Sequence, residues 1–307
     1  MSQEIIEHSF DVGKPARLTL GNIRGMIDLQ AGQDGMISIK AVKHLTSGDE
    51  NNTDIQIKQE EDGQVIVKTE YMNSIGNLFG LRKPIKVDYT VQLPKECEIK
   101  VSGVSCPISV QGLGGNIDIN SVSGKLTLNQ LSGILKLNAV SGAIDGQNLS
   151  GEVDANNVSG RIRIIDSNFI NAHIKTVSGK MVIQTPINEG PYLFKGVSGN
   201  LSLIVPKDSN CTANIKSVSG RLRTSLSITK DKRINSRGFV EIANGGPEVT
   251  YKSVSGSMRI VTSEKEEVVE RILPEKSVEQ EKDKIAILQK IERGEISVDE
   301  ALEELNA

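Results

Sequence analysis

The chain has 307 residues, ample for a large core, yet only 3% of it is aromatic, it has no tryptophan, and 29 residues are glycine. Layers of small β-branched side chains give this composition. Its 36 Lys and Arg are spread among 39 Asp and Glu for a formal charge of -3, which leaves no basic field for nucleic acid. Cys97, Cys106 and Cys211 are odd in number and lack metal-ligand spacing, so they are expected to be small buried thiols in a reducing compartment.

The opening MSQEIIEHSF has neither a basic end nor an apolar run, and the chain contains no stretch of about 18 apolar residues. The expectation is a chain neither secreted by a classical signal nor membrane-spanning: cytoplasmic, or peripheral at the inner face of the membrane. Residues 5 to 42 hold three strand-like runs, with turn signals at Gly13-Lys14-Pro15 and Gln33-Asp34-Gly35. DIQIKQEEDGQVIVKTE alternates strictly on both sides of Asp62-Gly63, which predicts a β-hairpin. This N-terminal part is expected to pair with the first coil of the repeat region and cover its open end.

Residues 71 to 84, YMNSIGNLFGLRKP, break the alternation. They set Tyr71, Leu78, Phe79 and Leu81 beside Arg82 and Lys83. Such a cluster is a satellite core under a loop or a partner-docking or membrane-touching loop, and these four residues are candidate partner-binding residues.

From 122 to 166 one nine-residue phrase is repeated five times: VSGKLTLNQ, LSGILKLNA, VSGAIDGQN, LSGEVDANN, VSGRIRIID. The first residue alternates Val122, Leu131, Val140, Leu149, Val158, so the full repeat is 18 residues and one repeat is one coil of a β-solenoid. Within each phrase the pattern has period two. Leu126 and Leu128, Leu135 and Leu137, Ile144 and Gly146, Val153 and Ala155, Ile162 and Ile164 point inward. Thr127, Lys136, Asp145, Asp154 and Arg163 point out. Each phrase thus predicts one short strand, with Ser-Gly as its corner. Asn129, Asn138, Gln147 and Asn156 form an amide column that suits side chains pairing from coil to coil, with sugar binding as the alternative use. Beyond Arg163 the corners recur at Val177, Val197, Val218 and Val254, so the coils loosen and acquire insertions. The largest, about residues 228 to 248, carries the basic run TKDKRINSRG and is expected to be a solvated loop.

The Val-Ser-Gly corners about 20 residues apart, the LPK and VPK entries at 93 and 205, and the opening FDVGKPARLTLGNIRGMIDLQA resemble the bacterial toastrack domain, a domain of unknown function also labelled adhesin-like. The resemblance covers roughly residues 5 to 262. It implies the fold, and it implies company: such domains accompany bacterial membrane and envelope-stress systems, often beside membrane-anchored partners. It implies no active site.

After Val261 the composition turns charged. Residues 263–282, broken by Pro274, read as a linker. Ile285, Leu288 and Ile291 fall at helical spacing before Gly294, and Ser297 with Glu300 makes a capping box ahead of Ala301, Leu302 and Leu305. The pair resembles a SHOCT-like helical hairpin, 283–307. Two such short helices need a surface to cover them, so Ile285, Leu288, Ile291, Leu302 and Leu305 are candidate contacts to a protein partner, to a second copy, or to the chain's own solenoid.

No catalytic constellation emerges. His8, His44 and His173 are scattered, the serines sit in corners, and the glycines follow strands. Asp145 and Asp154 are the candidates for a carboxylate pair of the kind carbohydrate-active β-helix enzymes use. The 18-residue register puts them on different faces and stacks Lys136 on Asp154 and Asp145 on Arg163. The sequence therefore predicts an all-β, single-stranded β-solenoid of about 18 to 21 residues per coil, residues 1–262, with a small helical hairpin. It would act as a non-catalytic interaction scaffold, binding a protein or membrane-anchored partner or itself, in an envelope-stress setting. No cofactor, metal or small-molecule substrate is indicated. The rivals are a surface adhesin or glycan-binding module, and a carbohydrate-active enzyme.

Overall fold

The 18-residue period is one turn of the chain. In a first stack of parallel strands Leu126 stands beside Ile144, and Ile144 beside Ile162; in a second, Leu135 stands beside Val153. The computed structural model describes residues 2–45, 53–71, 84–234 and 237–263, all of them within the unit Met1–Ser263. The inward residues named from the sequence are buried, from Leu126 and Leu128 to Ile162 and Ile164.

Not every nine-residue phrase makes the same strand. The Val-type phrases give four-residue strands, Leu126–Asn129, Ile144–Gln147 and Ile162–Ile165, which form the short stack. The Leu-type phrases give ten-residue strands, Ser132–Ser141 and Ser150–Ser159, which form the long stack and run through their own Ser-Gly into the Val-Ser of the next phrase. Gly133 and Gly151, at φ 107° and 102°, stand side by side in these strands with the ladder between them unbroken, while towards Asn168–Gln184 the register slips by one residue after Gly151. Of the Ser-Gly sites, the Val-Ser-Gly ones are corners between stacks; the return from the short stack to the long one turns at Gln130, Asn148 and Asp166, at φ 53°, 55° and 50°. Further on, Asn168–Gln184 and Tyr192–Ile204 each serve both stacks in one run.

At the N-terminal end, Ala16–Ala31 is itself the first coil, pairing with Cys97–Ser105 and then with Ile108–Gln111. The predicted hairpin is present as Thr53–Gln59 against Val65–Tyr71, and its second strand extends the long stack beyond Ala16–Ala31. Lys86–Leu93, Met36–Leu45 and Ser2–Asp11 extend the short stack in turn. The outermost strand carries Glu4 and Glu7, paired with Lys43 and Lys40, a charged edge that resists further strand addition.

The C-terminal end departs from the expected succession of coils. Glu248–Ser255 lies between Tyr192–Ile204 and Cys211–Ser217, pairing in parallel with both. The chain thus goes out one coil too far and returns to fill the gap. Residues 228–248, expected as a loop, form a hairpin of Ile228–Ile234 and Arg237–Ile242 that adds antiparallel to Cys211–Ser217. Val240 and Ile242 are fully buried, and this short apolar face was hidden by the basic run beside it. The three cysteines are free and buried, as expected. Residues 264–307, with the linker and the hairpin residues Ile285, Leu288, Ile291, Leu302 and Leu305, lie outside the described residues.

Candidate functional site: a groove along the coils

The outer face of the long stack keeps its alternation past the asparagines. Asn120, Asn138 and Asn156 fall in one column, followed in register by Lys175, Lys195, Lys252 and Lys216. Two positions later the chain presents Val104, Val122, Val140, Val158, Val177 and Val197, each 47–50% exposed. Between the two columns lies a floor of buried small residues: Gly103, Ser121, Ala139, Asn157, Thr176 and Gly196. Together the three columns line a continuous groove of about 740 Å³. Six strands at the β-spacing make it roughly 24 Å long, and its volume is that of a small-ligand site.

The asparagine rim is a hydrogen-bonded ladder. Asn156 Nδ2 donates to Asn138 Oδ1 at 3.0 Å, and Asn138 Nδ2 to Asn120 Oδ1 at 3.0 Å. Asn156 Nδ2 also donates to Asp154 at 3.0 Å, and Asn120 Nδ2 to Asp118 at 2.9 Å. Every amide nitrogen of the ladder is therefore engaged inside the protein, which favours the structural use of these amides over sugar binding. The column differs from the expected one. Asn129 and Gln147 belong to the short stack, aligned with each other and with Gln111, and Asn120 takes their place, because the two strand types put their amides on different stacks.

At the far end the groove changes character. Lys175 and Lys195 are adjacent in register, and like charges one strand apart repel. Among the described residues neither makes an ion pair. Their field is felt by His173, whose pKa is lowered first by burial and then by Lys175, with Lys195 adding and Asp154 opposing. In the floor here, Thr176 Oγ1 and Asn157 Oδ1 are buried with no hydrogen-bond partner, although Asn157 Nδ2 donates to Gly142 O at 2.9 Å.

The other candidates separate. Asp145 and Asp154 lie in different stacks, as expected. Asp145 is one strand from Arg163 in register, but its ion partners are Lys125 at 2.8 Å and Arg161 at 3.4 Å, because these corner residues reach in from either side. Asp154 faces His173 at 3.6 Å. Among the described residues no group of three His, Cys, Asp or Glu could hold a metal, and no helix is long and apolar enough to cross a membrane. Burial pushes the thiols up, Cys97 to about 12 and Cys106 and Cys211 to about 11, which suits packing and not nucleophilic work. Tyr71 ends a strand, and Leu78, Phe79 and Leu81 lie outside the described residues. The valine and lysine columns were missed from the sequence, although the same period-two count, carried from Asp154 through Asn156 to Val158, puts all three on the outside.

A family model described as Toastrack DUF4097 matches residues 22–261. No curated protein matches the chain. Solved structures with likeness to it include a "putative cell adhesion protein" from Clostridium sporogenes, at 11% identity over 85% of this chain and 100% of that one, TM-score 0.30. A "putative adhesin" from Bacteroides fragilis has 12% identity over 84% and 97%, TM-score 0.32. A "putative lipid binding protein" from Parabacteroides distasonis has 12% identity over 84% and 96%, TM-score 0.33. Likeness of this size carries no functional argument.

Proposed function

Given that the chain belongs to the Toastrack DUF4097 family, we propose that it is a non-catalytic binding scaffold that works in a membrane-associated assembly of the bacterial cell envelope, with the groove as its working surface. The observation that carries this reading is the continuity of the groove over six coils. A rigid stack holds the three columns in line, so an elongated ligand meets the same wall at each step and its contacts add. The envelope setting is taken from the company that such domains keep. The proposed assembly device is the segment 283–307, through a protein partner or a second copy.

The test is a photo-crosslinking amino acid placed at Val140 in the full chain, in bacterial cells, against the same group at Thr127, which is exposed on the short stack. An adduct formed at 140 and not at 127 is expected. Equal labelling at both sites, or none at either, would remove the groove as the working surface.

A further inference from the structure

The groove offers a ligand very little hydrogen bonding. Its walls are strands whose backbone groups already pair with the neighbouring coils, and the amide nitrogens of its rim donate to one another or to Asp118 and Asp154. An extended peptide or a glycan laid here would find few partners for the polar groups that it turned towards the strands. An acyl chain has no such groups to leave unpaired. The valine column, half exposed from Val104 to Val197, is the surface such a chain would cover.

One end is different, and it gives the ligand a direction. Lys175 and Lys195 sit side by side without a carboxylate partner among the described residues, and Lys252 and Lys216 continue the same column in the next two strands. A negative head placed there relieves the repulsion within the lysine pair.

We infer that the groove holds one long acyl chain with an anionic head, the head between Lys175 and Lys195 and the tail laid along Val158, Val140, Val122 and Val104. This rests on the groove being the working surface, as proposed above.

The test uses the full chain and hexadecanoate below its micelle concentration, followed by titration calorimetry. One saturable site is expected. Shortening the acid towards octanoate should weaken binding by roughly three- to fivefold per two methylenes, since about half of each is covered in an open groove. Val140→Asp should weaken it by at least about tenfold, and Lys195→Gln by about three- to tenfold, the latter less at high salt. Thr127→Asp, on the other stack, should change nothing. Val140 is exposed, so its variant should melt with the parent, and circular dichroism checks this.

Absence of saturable binding would overturn the inference, as would binding that Val140→Asp leaves intact or that shows no dependence on chain length. If hexadecanoate fails while the crosslinker at 140 still finds a partner, the acyl assignment falls and the scaffold stands. If both fail, both readings fall.

Discussion

A Cβ placed on Gly142 would stand 2.3 Å from the carbonyl oxygen of Gly124, one coil away. The same encounter recurs along the solenoid, with Gly124 against Cys106 at 2.1 Å and Gly160 against Gly142 at 2.4 Å. Glycine is required at the Val-Ser-Gly corner because the backbone of the neighbouring coil occupies the place of a side chain.

Gly142→Ala should therefore destabilise the protein by about 3 kcal/mol or more, since neither backbone can move without opening the stack. Gly63→Ala is the control. Gly63 has φ 80° with nothing within 4 Å of a new Cβ, so it should lose only about 1 kcal/mol, the local strain of the left-handed conformation. Chemical denaturation of the two variants measures the difference, and equal losses would show that conformation and not contact fixes the corner.

Asn138 stands in the middle of the amide ladder, donating to Asn120 and accepting from Asn156. Asn138→Ala should cost about 1–2 kcal/mol, because it cuts two links and leaves a half-buried amide on either side. A loss within a few tenths of a kcal/mol of zero in urea unfolding would mean that water replaces the ladder without penalty.

His173 reports on the cationic end of the groove. Burial and then Lys175 hold its pKa below 6.5, while Asp154 pulls the other way. Lys175→Gln should raise this pKa, and Asp154→Asn should lower it further, as followed by the ring resonances in an NMR titration. The folded pKa lies below the unfolded one, so the unfolded chain binds more protons in the interval between them. Stability from this group is thus complete above about pH 6.5 and is lost as pH falls through the folded value. A His173 pKa indifferent to Lys175→Gln would show that the lysine field does not reach it.

The cysteines set an alkaline limit. Their thiols titrate from 9.0 in the open chain to about 11 for Cys106 and Cys211 and about 12 for Cys97 in the fold. A raised folded pKa means stability that is complete below pH 9 and drains away as pH rises towards the folded values. The melting temperature should fall between pH 9 and 11, and replacing all three by alanine should flatten that fall. A triple variant with an unchanged alkaline slope would assign it to other groups.

Much of this fold was legible in the sequence because each coil is written by the same short phrase used twice. The inward residues from Leu126 to Ile164 follow from period two alone, and the hairpin at Gly63 from its turn. What was hidden is non-local. That Glu248–Ser255 slips between Tyr192–Ile204 and Cys211–Ser217 depends on which strand docks beside which, and all three carry similar alternation. The groove was hidden for a different reason. Val140 and Val158 look like core residues by type, although they share the outward register of Asn138 and Asn156 two positions earlier.

The displaced last coil has a consequence for how the chain is completed. Up to Ile204 each new strand of the long stack can settle on one already made. Cys211–Ser217 cannot, because its parallel neighbour lies 36 positions later in register, Tyr251 lying beside Ile215 in one gap and beside Phe194 in the other. This topology predicts folding by accretion that finishes in a single closing event, with residues 211 to 261 coming into place together. A chain halted at residue 247 should keep protease-resistant coils through Ile204 and lose everything after them, a boundary that limited proteolysis with mass spectrometry would read directly.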